Sequence, residues 1–286
     1  MIASIKKISL LRIFTTDKLI KSPFLNKIGL QIWRIKLADL IFRLKAKHVN
    51  DKYDTEISNY LHNGYIKFDE FLSPKEFAEV KSECVLIKET EDWRKYGRKD
   101  GPNQIFMFDL NKLDRKKYPA IFKFLNHEKL IAIFSGAEKK QIKLDDGRVA
   151  IQFQYLIQGE EDGTHDPETD LHADTFFNTN KAWLYLDDVK MENGPFVYVP
   201  KTNKVNLPNR INREYSYSLE KNAKGSRRVT QVEMVELGLE EKIFTCQANT
   251  LVMANTLGYH KRFRGKAGYD RLTLAISVRF NPFNPF

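Results

Sequence analysis

Asp170-Leu171-His172-Ala173-Asp174-Thr175 is the stretch from which the rest of the chain is read. His172 and Asp174 stand two residues apart. In a strand or an extended turn, residues at that spacing point to one side. An imidazole and a carboxylate placed so can grip one metal ion, with His260 as a candidate third ligand. Two histidines and one carboxylate form the set that holds non-haem iron(II) and leaves coordination positions open. The pattern His-x-Asp is short and arises by chance, so its surroundings must decide its meaning.

Those surroundings are short strands. Upstream, Gln141 to Leu144 and Val149 to Gln158 read as a hairpin around the turn Asp145-Asp146-Gly147. In the second strand Gln152 and Gln154 share one face, and Ile151, Phe153 and Tyr155 the other. Downstream, strands are expected at Ala182–Asp188, Phe196–Val199, Thr250–Ala254 and Arg271–Phe280. Polar excursions fill 159–170 and 201–242. Closer to the N-terminus the pattern is helical. A helix is expected from Asp51 to His62 with Asn63-Gly64 as its stop, then a strand at Tyr65–Asp69. A second helix follows from Pro74 to about Lys88, capped by Ser73, with Phe77, Val80 and Val85 inward. Residues 90–118 read as a long charged loop and 119–135 as a helix. Helices first and many short strands after predict a mainly β, α+β fold. Its core is a closed or two-sheet β structure with N-terminal helices outside.

Composition sets the frame. The 286 residues are 42% hydrophobic, enough for a sizeable core. Cys84 and Cys246 make no disulfide framework, and a reducing, cytoplasmic setting is expected. The net charge of +10 is concentrated at one end. Residues 1–47 carry eleven Lys and Arg against Asp17 and Asp39, so the remainder is nearly neutral. Nucleic-acid binding by the whole protein is therefore not expected. No apolar run reaches the ~18 residues of a membrane span, and no secretory signal is expected. Two parts follow: a basic helical segment over 1–50 and a body over 51–286. Within the first, 27–47 reads as an amphipathic helix with Leu30, Trp33, Leu37, Leu40 and Leu44 on one face. The favoured expectation is that this stripe packs on the body. The alternative is peripheral contact of residues 1–47 with the inner face of an anionic membrane.

Several stretches in order carry a resemblance. They are Tyr60-Leu61-His62-Asn63-Gly64-Tyr65-Ile66-Lys67-Phe68-Asp69-Glu70-Phe71-Leu72-Ser73, then Leu171-His172-Ala173-Asp174, then Trp183-Leu184-Tyr185-Leu186-Asp187-Asp188-Val189. Glu192-Asn193-Gly194-Pro195-Phe196-Val197-Tyr198-Val199-Pro200 follows, and last Asn249-Thr250-Leu251-Val252 with His260 and Arg271. Over about residues 52–286 the chain resembles the phytanoyl-CoA dioxygenase-like group of Fe(II)- and 2-oxoglutarate-dependent oxygenases. Their core is a double-stranded β-helix, or jelly roll.

The resemblance implies His172, Asp174 and His260 as iron ligands, and Fe(II), 2-oxoglutarate and O2 as the reacting set. It implies Arg271, eleven residues after His260, as the group that forks onto the distal carboxylate of 2-oxoglutarate. A planar guanidinium suits that task. Thr273 on the same strand face can add a hydroxyl bond, and Gln154 is a further candidate for the keto acid or the substrate. The implied reaction is hydroxylation of an unactivated C–H bond of a small molecule, with 2-oxoglutarate split to succinate. Trp183 is a candidate substrate contact.

One departure stands out. Arg262 lies where the family often has a small residue, within His260-Lys261-Arg262-Phe263-Arg264-Gly265-Lys266. With Lys221, Lys224, Arg227 and Arg228 it predicts recognition of an anionic substrate, lipid- or sugar-linked, beside the plainer reading of a solvated turn. His165 precedes Asp166-Pro167 and reads as a loop residue. A halogenase is disfavoured because Asp174 occupies the carboxylate position. The readings from other classes are a non-catalytic jelly-roll binding module and a membrane-surface interaction protein.

Overall fold

The computed structural model describes residues 13–45, 52–220 and 226–283. Its strands are β1 (Tyr65–Phe68), β2 (Gly97–Asp100), β3 (Asn103–Asp109), β4 (Ala150–Ile157), β5 (Asn180–Tyr185), β6 (Phe196–Tyr198), β7 (Lys242–Ile243), β8 (Leu251–Asn255), β9 (His260–Arg262) and β10 (Asp270–Val278). Seven of them build an antiparallel sheet in the order β1-β8-β5-β10-β4-β3-β2. The small sheet runs β7-β6-β9.

The side-chain alternation of the strands divides the molecule into layers. Leu274 of β10 stands opposite Phe153 of β4 and Leu184 of β5. All three are fully buried under helices α3 (Asp54–Asn63), α4 (Pro74–Thr90), α5 (Pro119–Leu125) and α6 (Glu128–Glu138). Each such side chain contributes about 1.5–3 kcal/mol by leaving water. One residue along, Thr273 stands opposite Gln154 and Tyr185, on the other face. That face meets the small sheet. The Trp183 ring lies 4.6 Å from Phe196, and Tyr65 packs on Tyr198 and Phe244. Two sheets facing each other, with helices outside the larger one, form the expected jelly roll.

The capped helix stands where its signals place it. Ser73 Oγ accepts from the Glu76 amide at 3.3 Å, and the Glu76 carboxylate accepts from Ser73 in return. Gly64 ends α3 at φ 80°. Inside α4 the inward set differs from expectation. Val85 is exposed, and Cys84 and Ile87 take the buried face with Val80.

Three other expectations are corrected. Residues 90–118 are not one irregular loop, because β2 and β3 form a hairpin there. β4 pairs with β3 and β10, not with Gln141–Leu144. Ile142 and Leu144 are buried by packing instead, and the Ile142 amide is held by Ser135 Oγ of α6 at 3.1 Å. The helix expected over 119–135 is two helices. Asn126 turns its side-chain amide back onto the Phe122 carbonyl at 2.9 Å, competing with helix continuation.

The largest correction concerns the N-terminal helix. Helices α1 (Pro23–Lys27) and α2 (Leu30–Leu44) lie against the body, but the expected stripe is not what docks. Gln31, Arg34, Ile35 and Ala38 are buried, while Trp33, Leu40 and Leu44 face outward. The physical reason is Arg34. Its guanidinium donates to the carbonyls of Phe14, Thr16 and Lys18 and to Gln31 Oε1, and it sits 4.7 Å over the Phe176 ring. Ile35 and Ala38 then close on Phe176, Phe177, Val205 and Leu257. Burial draws the Arg34 guanidinium down to about 10, against the opposing pull of Asp17. Residues 1–12 and 46–51 of the basic segment, and Lys221 and Lys224, lie outside the described residues.

Candidate metal centre

The centre is set by backbone pairing. His172 precedes β5 and forms an isolated antiparallel bridge with His260, the first residue of β9. The His172 amide donates to the His260 carbonyl at 2.9 Å, and the reverse bond measures 2.8 Å. Residues opposed in this way project to the same side. Asp174 follows two residues on, its own amide tied to the Thr256 carbonyl at 2.9 Å.

The side chains converge. His260 Nε2 is 3.2 Å from Asp174 Oδ1, and His172 Nε2 is 3.6 Å from the same oxygen. One ligand atom from each of the three lies within 4.8 Å of the others. Both imidazoles are buried and both are oriented from behind. His172 Nδ1 faces the Asp170 carbonyl at 2.8 Å, and His260 Nδ1 faces the Gly258 carbonyl at 2.9 Å. A carbonyl can only accept, so each Nδ1 carries the proton and each Nε2 keeps its lone pair for a metal. This donor set fits iron(II) and leaves positions open for other oxygen ligands.

Lys181 completes the arrangement and was missed by sequence reading. Its Nζ forms an ion pair with Asp174 Oδ2 at 2.6 Å, while the histidines approach Oδ1. Burial works against the charge on Asp174. Lys181 and the two histidines outweigh it and hold the carboxyl well below the usual carboxylate range. Glu168, also missed, brings a carboxylate to 3.8 Å from His172 Nε2. His165 is exposed and pairs with Asp170 at 2.7 Å, as a loop residue would.

Arg271 is the second residue of β10, on the face that looks toward the small sheet. It donates to the Gly194 carbonyl. Burial draws its guanidinium below the usual value, and the charge of Arg262 adds to that, while Tyr185 and Cys246 oppose it. Among the described residues no carboxylate forms an ion pair with it. A half-buried guanidinium without a carboxylate partner is free to take an anion from outside the chain. Thr273 is buried on the same face, and Gln154 stands opposite it in register, donating to Gln152 Oε1 at 2.9 Å. Trp183 packs against the apolar cluster that includes Phe196, whose ring is tilted at 5.8 Å from that of His260.

The expected anion-binding cluster takes another form. Arg262 is neither solvated nor free. It is buried, with Asp166 at 2.7 Å and Asp100 at 3.5 Å. Arg227 is gripped by Glu233 at 2.6 Å, Arg264 pairs with Glu161 at 3.0 Å, and Arg228 approaches Asp170 at 3.9 Å. Each of these guanidinium groups thus already has a carboxylate partner within the chain. What reaches the centre instead is a cavity of about 660 Å³. Asp174, Arg227 and Tyr259 line one side, and Asp17, Lys18 and Lys21 another. The N-terminal segment is therefore a wall of the cavity.

None of the curated proteins compared with the chain matches it significantly. Solved structures do. The epimerase SnoN, in complex with Fe3+, alpha ketoglutarate and nogalamycin RO, is similar over 79% of this chain and 82% of its own, at 15% identity and a TM-score of 0.52. EctD from S. alaskensis, with 2-oxoglutarate and 5-hydroxyectoine, is similar over 82% of this chain and 79% of its own, at 12% identity and a TM-score of 0.51. At such identities the likeness is one of fold. The profile of the family described as Phytanoyl-CoA dioxygenase (PhyH) matches residues 60–236, a span that holds His172 and Asp174 and ends before His260 and Arg271. That span is more than half of the sequence, and the chain belongs to the phytanoyl-CoA dioxygenase (PhyH) family, whose members depend on iron(II) and 2-oxoglutarate.

Proposed function

We propose that the protein is an iron(II)- and 2-oxoglutarate-dependent dioxygenase that hydroxylates an unactivated C–H bond of a small molecule. The observation that carries this reading is the convergence of His172, Asp174 and His260, with both Nδ1 atoms engaged from behind. His172, Asp174 and His260 would hold the iron. With 2-oxoglutarate and O2, bound iron supplies the oxidising power for C–H attack, and the keto acid leaves as succinate and CO2.

The remaining residues bind and orient. Arg271 takes the distal carboxylate of 2-oxoglutarate as the carboxylate partner its guanidinium lacks. The Thr273 hydroxyl supports that carboxylate, and Gln154, already coupled to Gln152, orients the keto acid or the substrate. Lys181 holds Asp174 Oδ2, which leaves Oδ1 turned to the histidines. Trp183 and Phe196 keep water from the back of the centre. The small molecule enters through the cavity beside Asp174, where both signs of charge are present.

Anaerobic addition of Fe(II) and then 2-oxoglutarate tests the reading. A weak visible charge-transfer band is expected, and succinate should form once air is admitted. Neither band nor succinate would leave a non-catalytic jelly-roll binding module in its place.

A further inference from the structure

Docking of α2 with its polar-and-small face leaves the opposite face uncovered. Successive residues of a helix are 100° apart, so Trp33, Leu37, Leu40 and Leu44 fall within about 60° of one another. Gln31, Arg34, Ile35 and Ala38 point to the other side, into the body. Trp33 is 70% exposed, Leu44 75% and Leu40 44%. α1 adjoins α2 through Gly29 and adds Phe24 at 70% and Ile28 at 61%. Five large apolar side chains on two adjoining helices and the link between them are too many to pass as scattered surface residues. Among the described residues nothing packs over them.

Their flanks are basic. Lys21, Lys27, Lys36 and Arg43 are exposed around the apolar face. Over residues 13–45 the acids are only Asp17 and Asp39, and both are paired, with Arg279 and Arg43. An apolar ridge with Trp on it and lysines beside it complements an anionic lipid surface. Apolar groups enter the acyl boundary and ammonium groups meet headgroup phosphates. No helix among the described residues is long and apolar enough to cross a membrane, so the contact is one of lying on the surface. The ridge also adjoins the cavity. Lys18, Leu19, Ile20, Lys21 and Pro23 line it, and Pro23 is the first residue of α1.

We infer that α1 and α2 form a membrane-docking surface that seats the protein on anionic phospholipid with the cavity wall beside the bilayer. This surface is independent of the metal centre, so its test needs no turnover. The full-length protein is floated with vesicles of phosphatidylcholine alone and with vesicles also containing phosphatidylserine. It should float with the anionic vesicles only, and high salt should weaken the binding. Trp33 reports directly. Trp93 is buried and Trp183 half-buried, so a blue shift on adding anionic vesicles arises at Trp33 and should vanish in Trp33→Phe. The triple variant Trp33→Ser, Leu40→Ser, Leu44→Ser alters exposed positions only and should bind at least about tenfold more weakly. Lys27→Glu with Lys36→Glu should lose about tenfold or more on anionic vesicles. Unchanged flotation of both variants would overturn the inference. So would a wild type that sediments as a dimer through this face, with the triple variant monomeric and neither binding vesicles, because the ridge would then be a contact between two copies.

Discussion

The backbones of His172 and His260 exchange two hydrogen bonds, at 2.9 and 2.8 Å, across eighty-eight positions of chain. The two candidate ligands are thus positioned by sheet-like pairing rather than by side-chain packing, and that pairing uses no imidazole atom. Replacing a ligand should therefore leave the fold in place. His172→Ala, Asp174→Ala and His260→Ala should each abolish stoichiometric Fe(II) binding and succinate formation while the far-ultraviolet dichroism stays that of the parent. A variant that still bound one equivalent of iron with parental affinity would remove its residue from the ligand set.

Lys181 should tune the metal without touching it. Its ammonium occupies Asp174 Oδ2 and so presents Oδ1 to the centre. Lys181→Met should lower Fe(II) affinity by roughly 10–100-fold, the usual effect of losing a group that orients a ligand. Lys181→Arg should restore part of it. Direct metal titration decides, and equal affinity in the Met variant would mean the ion pair is incidental.

Arg271→Ala should act on 2-oxoglutarate above all. Losing one partner of an enclosed ion pair costs about 2–5 kcal/mol, so the requirement for 2-oxoglutarate should rise at least roughly thirtyfold. Arg271→Lys should fall between, because an ammonium cannot fork onto a carboxylate. If the apparent KM for 2-oxoglutarate did not move in either variant, Arg262, whose buried Nε lacks a partner, becomes the group to test.

Glu138 predicts a pH dependence of stability. It is buried at the end of α6 and accepts from Asn180. Burial pushes its carboxyl from 4.5 up to about 7, only partly offset by Asn180, Lys45 and Lys140. The folded protein then binds more protons than the unfolded chain between about pH 4.5 and 7, and its stability falls as pH rises through that window. Glu138→Gln should flatten this slope and stabilise the protein at pH 8 by up to about 3 kcal/mol. Urea unfolding at pH 5 and pH 8 measures it, and parallel pH profiles for the two proteins would exclude the assignment.

Arg34 fastens the cavity wall. Arg34→Met keeps the apolar contact with Phe176 but removes the donors to the Phe14, Thr16 and Lys18 carbonyls. Limited proteolysis should then cut within 14–21 while the jelly roll stays intact, and substrate KM should change more than kcat. Unchanged cleavage would show that Ile35 and Ala38 hold the segment without it.

The shared side of His172 and Asp174 was legible in the sequence because alternation along an extended chain is local, while His260 and Arg271 as their partners came from the family resemblance. Spacing two apart, and alternation along β10, fix the face of each side chain once a strand is granted. The N-cap at Ser73 and the stop at Gly64 were legible because such signals sit within a few residues of the helix end. Lys181 was not, since nothing near it in the chain marks a lysine that must reach a carboxylate from another turn. Gln141–Leu144 looked like the partner of β4, yet β3 takes that place, because pairing is settled by which strands a sheet brings together.

The N-terminal helix shows the division most clearly. Its sequence alone determined that it would be a helix, and that Trp33, Leu40 and Leu44 would share a face. Only the tertiary structure decided which face would be buried. The apolar stripe was the natural candidate, but the chain just before the helix offered backbone carbonyls at Phe14, Thr16 and Lys18 and the body an aromatic ring at Phe176, and Arg34 satisfies all of them at once. Buried backbone polar groups must be hydrogen-bonded, and that requirement is a property of the assembled surface, invisible in the periodicity of one helix.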